Sequence, residues 1–303
     1  MGKKLVVKIG GGLGNQMHQY ALARFIADLT RRELVWDLTD FTVSSLRQFQ
    51  LGVFRGMQKI KRWGRFREWS FFVLWIVNRK ISKKVFELIL RCLRIKWVYV
   101  KDPFKFQQDF SDVSLLDWNG LIYLSGCYGH VPQMPPRSEL RRIFDVCGGG
   151  MSERNKQYMN VMKSAESVSI HVRRTDYLWA SNGTPALDIR YQRLAIDKMM
   201  QMIASPRWFI FSDDVEWCRE EFKDIKDVVF VEGNESEPWW DIVLMASCHH
   251  HIIANSTFSW WGAYLGKDDG VTLYPSPWFC GRGCSLELPS TARVENWIAV
   301  TFH

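Results

Sequence analysis

Short apolar runs recur along the chain, each closed by glycine or small polar residues and most of them followed by a stretch with helical spacing. Residues 5–9 read as a buried strand, and the glycines at 10, 11, 12 and 14 form a turn that opens a helix over about 17–29. A second strand is predicted at 34–36, ending at Asp37, and a third at 121–124. Pro132, Pro135 and Pro136 then break the chain, and Gly148, Gly149 and Gly150 make a joint. Beyond it the pattern restarts. Helices are predicted at 152–162, 191–202 and 239–247, strands at 168–172, 207–211, 228–231 and 252–254, and a loop at 178–185. Ser212 is placed to cap the helix that begins at Val215. Strands alternating with helices on both sides of the joint predict two doubly wound α/β domains, 1–150 and 151–303.

The polar residues of interest fall where strands end. Val168, Ile170 and Val172 alternate with Ser169 and His171, and the strand runs straight into Arg173, Arg174 and Asp176. Guanidinium groups at the carboxyl end of a strand sit where open α/β sheets bind ligands, and their planar forks match phosphate oxygens. A surface ion pair among the same three residues is the plain alternative. The strand at 207–211 ends in Ser212, Asp213 and Asp214, and the one at 252–254 in Asn255, Ser256, Thr257, Phe258 and Ser259. Together these clusters suit an anionic, nucleotide-like ligand: arginines for a diphosphate, Ser212 to Asp214 for hydroxyl or base donors, and a helix amino terminus for further phosphate oxygens. The first turn is of another kind. Counting G-x-G-x-x-G from Gly10 lands on Asn15, and no Gly-Lys-Ser/Thr follows, so Gly12, Gly14, Asn15 and Gln16 make neither a dinucleotide fingerprint nor a P-loop.

Composition narrows the class. With 303 residues, 47% apolar and 24% charged, the chain reads as an ordinary globular protein with a large core. Its fifteen tryptophans suit a heavy core, with a stacking platform for sugars or bases as a second use; Trp260 and Trp261 are read first as core. Seven cysteines, scattered and odd in number, with no C-x-x-C pair and no secretory signal ahead of them, predict reduced thiols and a cytoplasmic protein. No apolar run approaches a membrane span, and the stretch 71–77 is far too short. The net charge of +8 is regional: fourteen Lys or Arg lie between Arg55 and Lys101 against Glu68 and Glu87, a local +12 that leaves about −4 for the rest. Interleaved with Trp63, Trp69, Phe71, Phe72, Trp75 and Trp97, region 55–101 resembles a cationic amphipathic helical surface able to rest on an anionic membrane. Nucleic-acid binding and a plain solvated face are the competing readings. His249, His250 and His251 enter a strand, where side chains alternate in direction, so a shared metal ion is not expected; contiguous Asp213 and Asp214 suit a cap or a base contact.

Four motifs in order sharpen the picture: G-G-L-G-N-Q-M-x-Q-Y-A at 11–21, H-V-R-R-x-D-Y at 171–177, F-S-D-D-V-E-W-C at 211–218 and N-S-T-F-S-W-W-G-A at 255–263. They resemble the motifs of glycosyltransferase family 11, the α-1,2-fucosyltransferases, and residues 275–278 and 295–298 are similar to that family's ending. The resemblance implies a GT-B architecture, two Rossmann-like domains facing across a cleft, the second holding GDP-fucose and the first shaping the acceptor site, with no cofactor and no metal. It implies inverting transfer of L-fucose from GDP-β-L-fucose to O2 of a terminal β-galactoside, in surface glycan synthesis at the cytosolic membrane face and without a nucleic-acid partner. Arg173 would neutralise the diphosphate, supported by Arg174 and His171; Asp213 and Asp214 would sit near the guanosine, and Asn255 to Ser259 near the phosphates. Gly12, Gly14, Asn15, Gln16 and Asp37 fall to the acceptor side. Asp176, Asp37 and His171 are the candidates for the base that takes the acceptor proton, with Asp176 as a brace for Arg173 the alternative. Two departures lie in the acceptor half: His18 where a phenylalanine is usual, and Gly126-Cys127-Tyr128-Gly129 without the usual glutamine. A different acceptor hydroxyl, a protein acceptor, and a nucleotide-sugar or polyanion binder without turnover are the rival readings.

Overall fold

Strand β1 (Lys4–Lys8) buries Leu5, Val6 and Val7 in succession, as a strand does when both faces of its sheet are covered. The computed structural model describes residues 3–43, 47–78, 81–100, 113–126, 131–147, 150–175, 186–281 and 284–302. The chain divides into two units, Met1–Cys147 and Gly148–His303. Of the sequence expectations, the loop at 178–185, Asp176, residues 127–130 and the glycines at 148 and 149 lie outside the described residues.

In the first unit helix α1 (Leu13–Thr30) follows β1, then come β2 (Glu33–Asp37), α2 (Thr39–Val43), β3 (Lys61–Arg62), α3 (Arg65–Asn78), α4 (Lys83–Cys92), β4 (Ile95–Val100), α5 (Val113–Leu116), β5 (Leu121–Gly126) and α6 (Arg137–Ile143). The strands form one parallel sheet in the order β3-β2-β1-β5-β4. Helices α3 and α4 cover one face, laying Phe71, Phe86 and Leu90 on Val6, Val35 and Tyr123. Gly11, at φ 74°, makes the left-handed step that turns β1 into α1. The helix is buried nearly all round, so its polar residues need partners within the protein. Gln19 accepts from the Gly10 amide at 2.9 Å and donates to the Gly126 carbonyl at 3.1 Å, tying the ends of β1 and β5. His18 donates to the Gly14 carbonyl at 3.0 Å, and burial pushes its pKa down to about 4, so a neutral imidazole fills this core position.

The second unit runs α7 (Glu153–Lys163), β6 (Ser167–Val172), α8 (Ile189–Met202), β7 (Arg207–Ser212), α9 (Val215–Glu221), β8 (Val228–Val231), α10 (Trp239–Ser247), β9 (His250–Ile252), α11 (Thr257–Leu265), β10 (Thr272–Ser276), a hairpin of β11 (Phe279–Gly281) and β12 (Cys284–Leu286), and β13 (Ile298–Thr301). Its parallel sheet has the order β13-β10-β9-β6-β7-β8. Tyr191, Ala195 and Met199 of α8 join Val168, Ile170, Ile252 and Leu273 in one core. All six residues of β6 are buried, the polar alternates included: Ser169 Oγ lies 2.8 Å from His251 Nδ1.

Two local expectations are corrected. Asp214, not Ser212, caps α9, accepting from the Trp217 amide at 3.3 Å, while Ser212 Oγ accepts from the Asp214 amide at 2.9 Å. The strand expected at 252–254 is His250–Ile252, because the Ala254 amide leaves the ladder to donate to Ser259 Oγ at 3.2 Å. Trp260 and Trp261 are 2% and 0% exposed, so both belong to the core and neither is a sugar platform.

Candidate active site

In the second sheet the strand order turns between β6 and β9, and at such a switch point the crevice beyond the carboxyl ends is where open α/β sheets hold ligands. His171, Arg173 and Arg174 come off β6 there, and Asn255 to Ser259 come off β9. The register does part of the work. Val172 pairs with Ser212, so the next residues, Arg173 and Asp213, leave the sheet side by side. Arg173 Nη1 lies 3.1 Å from Asp213 Oδ2. The same carboxylate accepts from the Arg174 amide at 2.9 Å through Oδ1 and from the Thr175 hydroxyl at 2.6 Å through Oδ2.

Arg174 is more enclosed. Its Nε donates to Asp214 Oδ2 at 3.1 Å, and its guanidinium carbon sits 3.8 Å from the ring centroid of Trp217. Every carboxylate oxygen of Asp213 and Asp214 thus already accepts a bond from the turn, an arginine or the start of α9. These two aspartates hold the arginines; Asp176, considered as a brace, lies outside the described residues. Two guanidinium groups fixed by carboxylates at a strand end can bind an anion without reorganising at the moment of binding.

His171 is 5% exposed, its ring lies 5.6 Å from that of Phe258, and its Nδ1 has no hydrogen-bond partner. Burial first, then the charge of Arg173, pushes its pKa down to about 3 against the opposing pull of Asp213. It is a neutral ring. Across the crevice Ser256 caps α11 by accepting from the Phe258 amide at 3.3 Å. Ser259 is fully buried, with its hydroxyl among the Ala254 and Ser256 backbone groups, so its part is to shape the turn. Asn255 and Ser256 are also buried, while Thr257 and Phe258 keep partial exposure.

The first sheet has its own switch point, between β1 and β5, and a cavity of about 260 Å³ opens there. Asn15, Asp37, Lys8, Asp40 and Gln19 supply its polar lining, and Phe71, Phe72, Trp97, Tyr99 and Tyr123 its aromatic lining. Flat rings beside a few charged and amide groups are what a sugar-sized ligand needs. Asp37 accepts from the Thr39 amide at 2.9 Å, the Thr39 hydroxyl at 2.5 Å and the Tyr123 hydroxyl at 2.5 Å. Burial raises its pKa, with these hydrogen bonds opposing. Asp40, which pairs with Lys8 at 2.7 Å and keeps 46% of its side chain exposed, is a cavity carboxylate that the sequence reading missed. Gln16 is withdrawn from the cavity: it donates to the Gly11 and Gln48 carbonyls at 2.9 and 2.8 Å and accepts from the Gln50 amide at 3.0 Å. Gly12 and Gly14 act through the turn and the first helical residues.

The histidine run differs from expectation. The rings of His249 and His250 stack at 4.3 Å, and Glu166 Oε2 lies 3.4 Å from His249 Nδ1 and 3.1 Å from His250 Nε2, so three possible ligands do converge. The hydrogen bonds nonetheless speak against a metal. His250 Nδ1 accepts from the Val271 amide at 3.0 Å, which leaves the proton of the neutral ring on Nε2 as a donor to Glu166.

Comparison with known proteins adds lineage to this geometry. The family profile described as Glycosyl transferase family 11 matches residues 147–300. The chain is 31% identical over 290 residues to the Escherichia coli protein named Alpha-1,2-colitosyltransferase, covering 91% of this chain and 92% of that one. It is 28% identical over 320 residues to the O-antigen biosynthesis glycosyltransferase WbnK of Escherichia coli, covering 96% and 98%. To Galactoside alpha-(1,2)-fucosyltransferase 1 of Saimiri sciureus it is 34% identical over 139 residues, 44% of this chain and 38% of that one. Among solved structures, Arabidopsis thaliana FUT1 in complex with GDP aligns with a TM-score of 0.54 at 12% identity, over 90% of this chain and 70% of that one. That likeness is one of fold. The two parallel α/β units are of the GT-B class.

Proposed function

The chain belongs to glycosyltransferase family 11, and we propose that it moves L-fucose from GDP-β-L-fucose to O2 of a terminal β-galactoside, inverting the anomeric centre without a metal. The observation that carries the proposal is Arg173, held by Asp213 at the switch point of the second sheet. As the bond to the donor sugar breaks, negative charge grows on the departing diphosphate and the sugar becomes oxocarbenium-like. A guanidinium already fixed by a carboxylate stabilises that charge more in the transition state than in the ground state. Arg174, clamped by Asp214 and Trp217, keeps the turn rigid, and the amino end of α11 offers Thr257 and Phe258 beside the same crevice.

The weak basicity of the His171 ring favours a positioning role beside Arg173 over proton removal. Asp176 and Asp37 remain the proposed proton acceptors, Asp37 supported by its place in the cavity of the first unit. In this proposal that cavity takes the galactoside. The protein works in the cytoplasm, touching the anionic inner membrane face through region 55–101. Among the described residues no helix is long and apolar enough to cross a membrane.

A second reading of the donor rests on the 31% identical relative named for colitose transfer. Colitose is L-fucose without its 3-hydroxyl, so both donors would present the same diphosphate to Arg173. The test is incubation with each donor and a panel of β-galactosides, with and without EDTA, followed for GDP release and glycosylated product. Product from GDP-fucose, undiminished by EDTA, is expected. GDP bound without product across the panel would overturn the enzyme reading, and loss of activity in EDTA the metal-free mechanism.

A further inference from the structure

Helix α3 carries two apolar faces. Phe71 points inward and stacks on Tyr123 at 3.9 Å between centroids, with Glu68 beside it 1% exposed. Phe66, Trp69, Val73 and Ile76, three or four residues apart, form a stripe on the other side and are 85%, 46%, 53% and 42% exposed. Helix α4 repeats the arrangement, with Phe86 and Leu90 buried and Val85 and Leu88 47% and 61% exposed. Phe71 and Phe86 both meet Trp97, at 5.8 and 5.3 Å, so the helices lie on one face of the sheet and their outer stripes look away from it together. Each helix thus exposes a row of large apolar side chains rather than single scattered ones, and such surface marks an interaction site.

Its charge says with what. Arg65, Arg67, Lys83, Lys84, Arg91 and Arg94 are exposed on the same two helices and the turn after them. Of the two acidic residues in the region, Glu68 is turned inward onto Arg62, whose Nε lies 2.8 Å from each of its oxygens. Glu87 is left as the outward acid, so among the described residues the outer side of these two helices is strongly cationic. Aliphatic side chains such as Val73, Ile76, Val85 and Leu88 suit acyl chains, whereas a polynucleotide asks for stacking rings along a groove.

We infer that the outer faces of α3 and α4 form a docking surface for an anionic phospholipid bilayer, with the apolar stripes among the acyl chains and the cations at the headgroups. This rests on the membrane contact proposed above and gives it its residues. The test sediments the whole chain with vesicles of phosphatidylcholine, alone or with about one third phosphatidylglycerol. Binding is expected to the anionic vesicles, weakened at least about tenfold at roughly 0.5 M salt. The double variant Phe66→Ser, Trp69→Ser should lose about tenfold or more while transferring sugar to a soluble galactoside at the wild-type rate, and Lys83→Glu, Lys84→Glu should also weaken binding. Absence of vesicle binding, binding indifferent to salt and to both variants, or a dimer dispersed by Phe66→Ser, Trp69→Ser would overturn the inference. Salt-sensitive vesicle binding without any transfer activity would support this surface and count against the enzyme reading alone.

Discussion

Asp213 does more for the arginines than any residue on their own strand, because it meets the Arg173 guanidinium, the Arg174 amide and the Thr175 hydroxyl together. Asp213→Asn keeps the shape and removes the charge, so kcat/KM for the donor should fall about 10–100-fold, equivalent to losing a charged hydrogen bond, and steady-state kinetics beside a thermal melt will separate this from unfolding. His171 carries a pH prediction. Its folded pKa of about 3 lies below the ordinary 6.5, so protons bind the unfolded chain more readily. The stability it contributes is full above about pH 6.5 and is lost as pH falls towards 3, at about 1.4 kcal/mol per pH unit for one such group. Urea melts between these limits should therefore show an acid-dependent loss that His171→Gln makes shallower, the buried His18 keeping its own share; parallel curves for the two proteins would refute the assignment. The arginines were legible in the sequence because they follow a strand directly. Asp213 as their brace was not, since it lies 39 residues from Arg174 and only the parallel register brings them together. Asp40 escaped for a like reason: it opens α2, and its partner Lys8 ends β1, far away in the chain.

At the scale of elements, the motif around Trp260 and Trp261 encodes packing as well as a helix start. A Cβ at Gly262 would stand 2.8 Å from Met245 Cβ and 3.0 Å from its Cε, so the glycine lets α11 approach α10. Gly262→Ala should cost about 1–3 kcal/mol of stability, seen as a lowered melting temperature. Strands buried on both faces, β1 and β6, were visible as apolar runs, and β8 and α10 fall on their predicted bounds. Caps and strand ends were less legible. Whether Ser212 or Asp214 caps α9, and where β9 stops, depends on side-chain bonds to neighbouring backbone amides that compete within two or three residues. The basic region hid a further distinction: spacing alone does not say that Phe71 is inside while Phe66 and Trp69 are out, because α3 is apolar on both sides.

Over the whole molecule, each unit is a parallel sheet with its own switch point, the second lined by arginine clamps and a helix start, the first by aromatic rings and carboxylates. The alternation of strands and helices was enough to predict two doubly wound sheets, and the ordered motifs carried the family. The cavity of the first unit was not readable, because Tyr99, Tyr123, Trp97 and Asp37 come from three different strands. The claim on which the account turns is that Arg173 acts on charge that develops as the donor bond breaks. It is tested most directly by Arg173→Lys, measuring affinity for the intact sugar-nucleotide donor and kcat on the same preparation. The expected result is kcat lowered about 10²–10³-fold, as when a fixed donor to a developing anion is lost, with affinity for the intact donor changed far less. An unchanged kcat, or a loss confined to donor affinity, would contradict it.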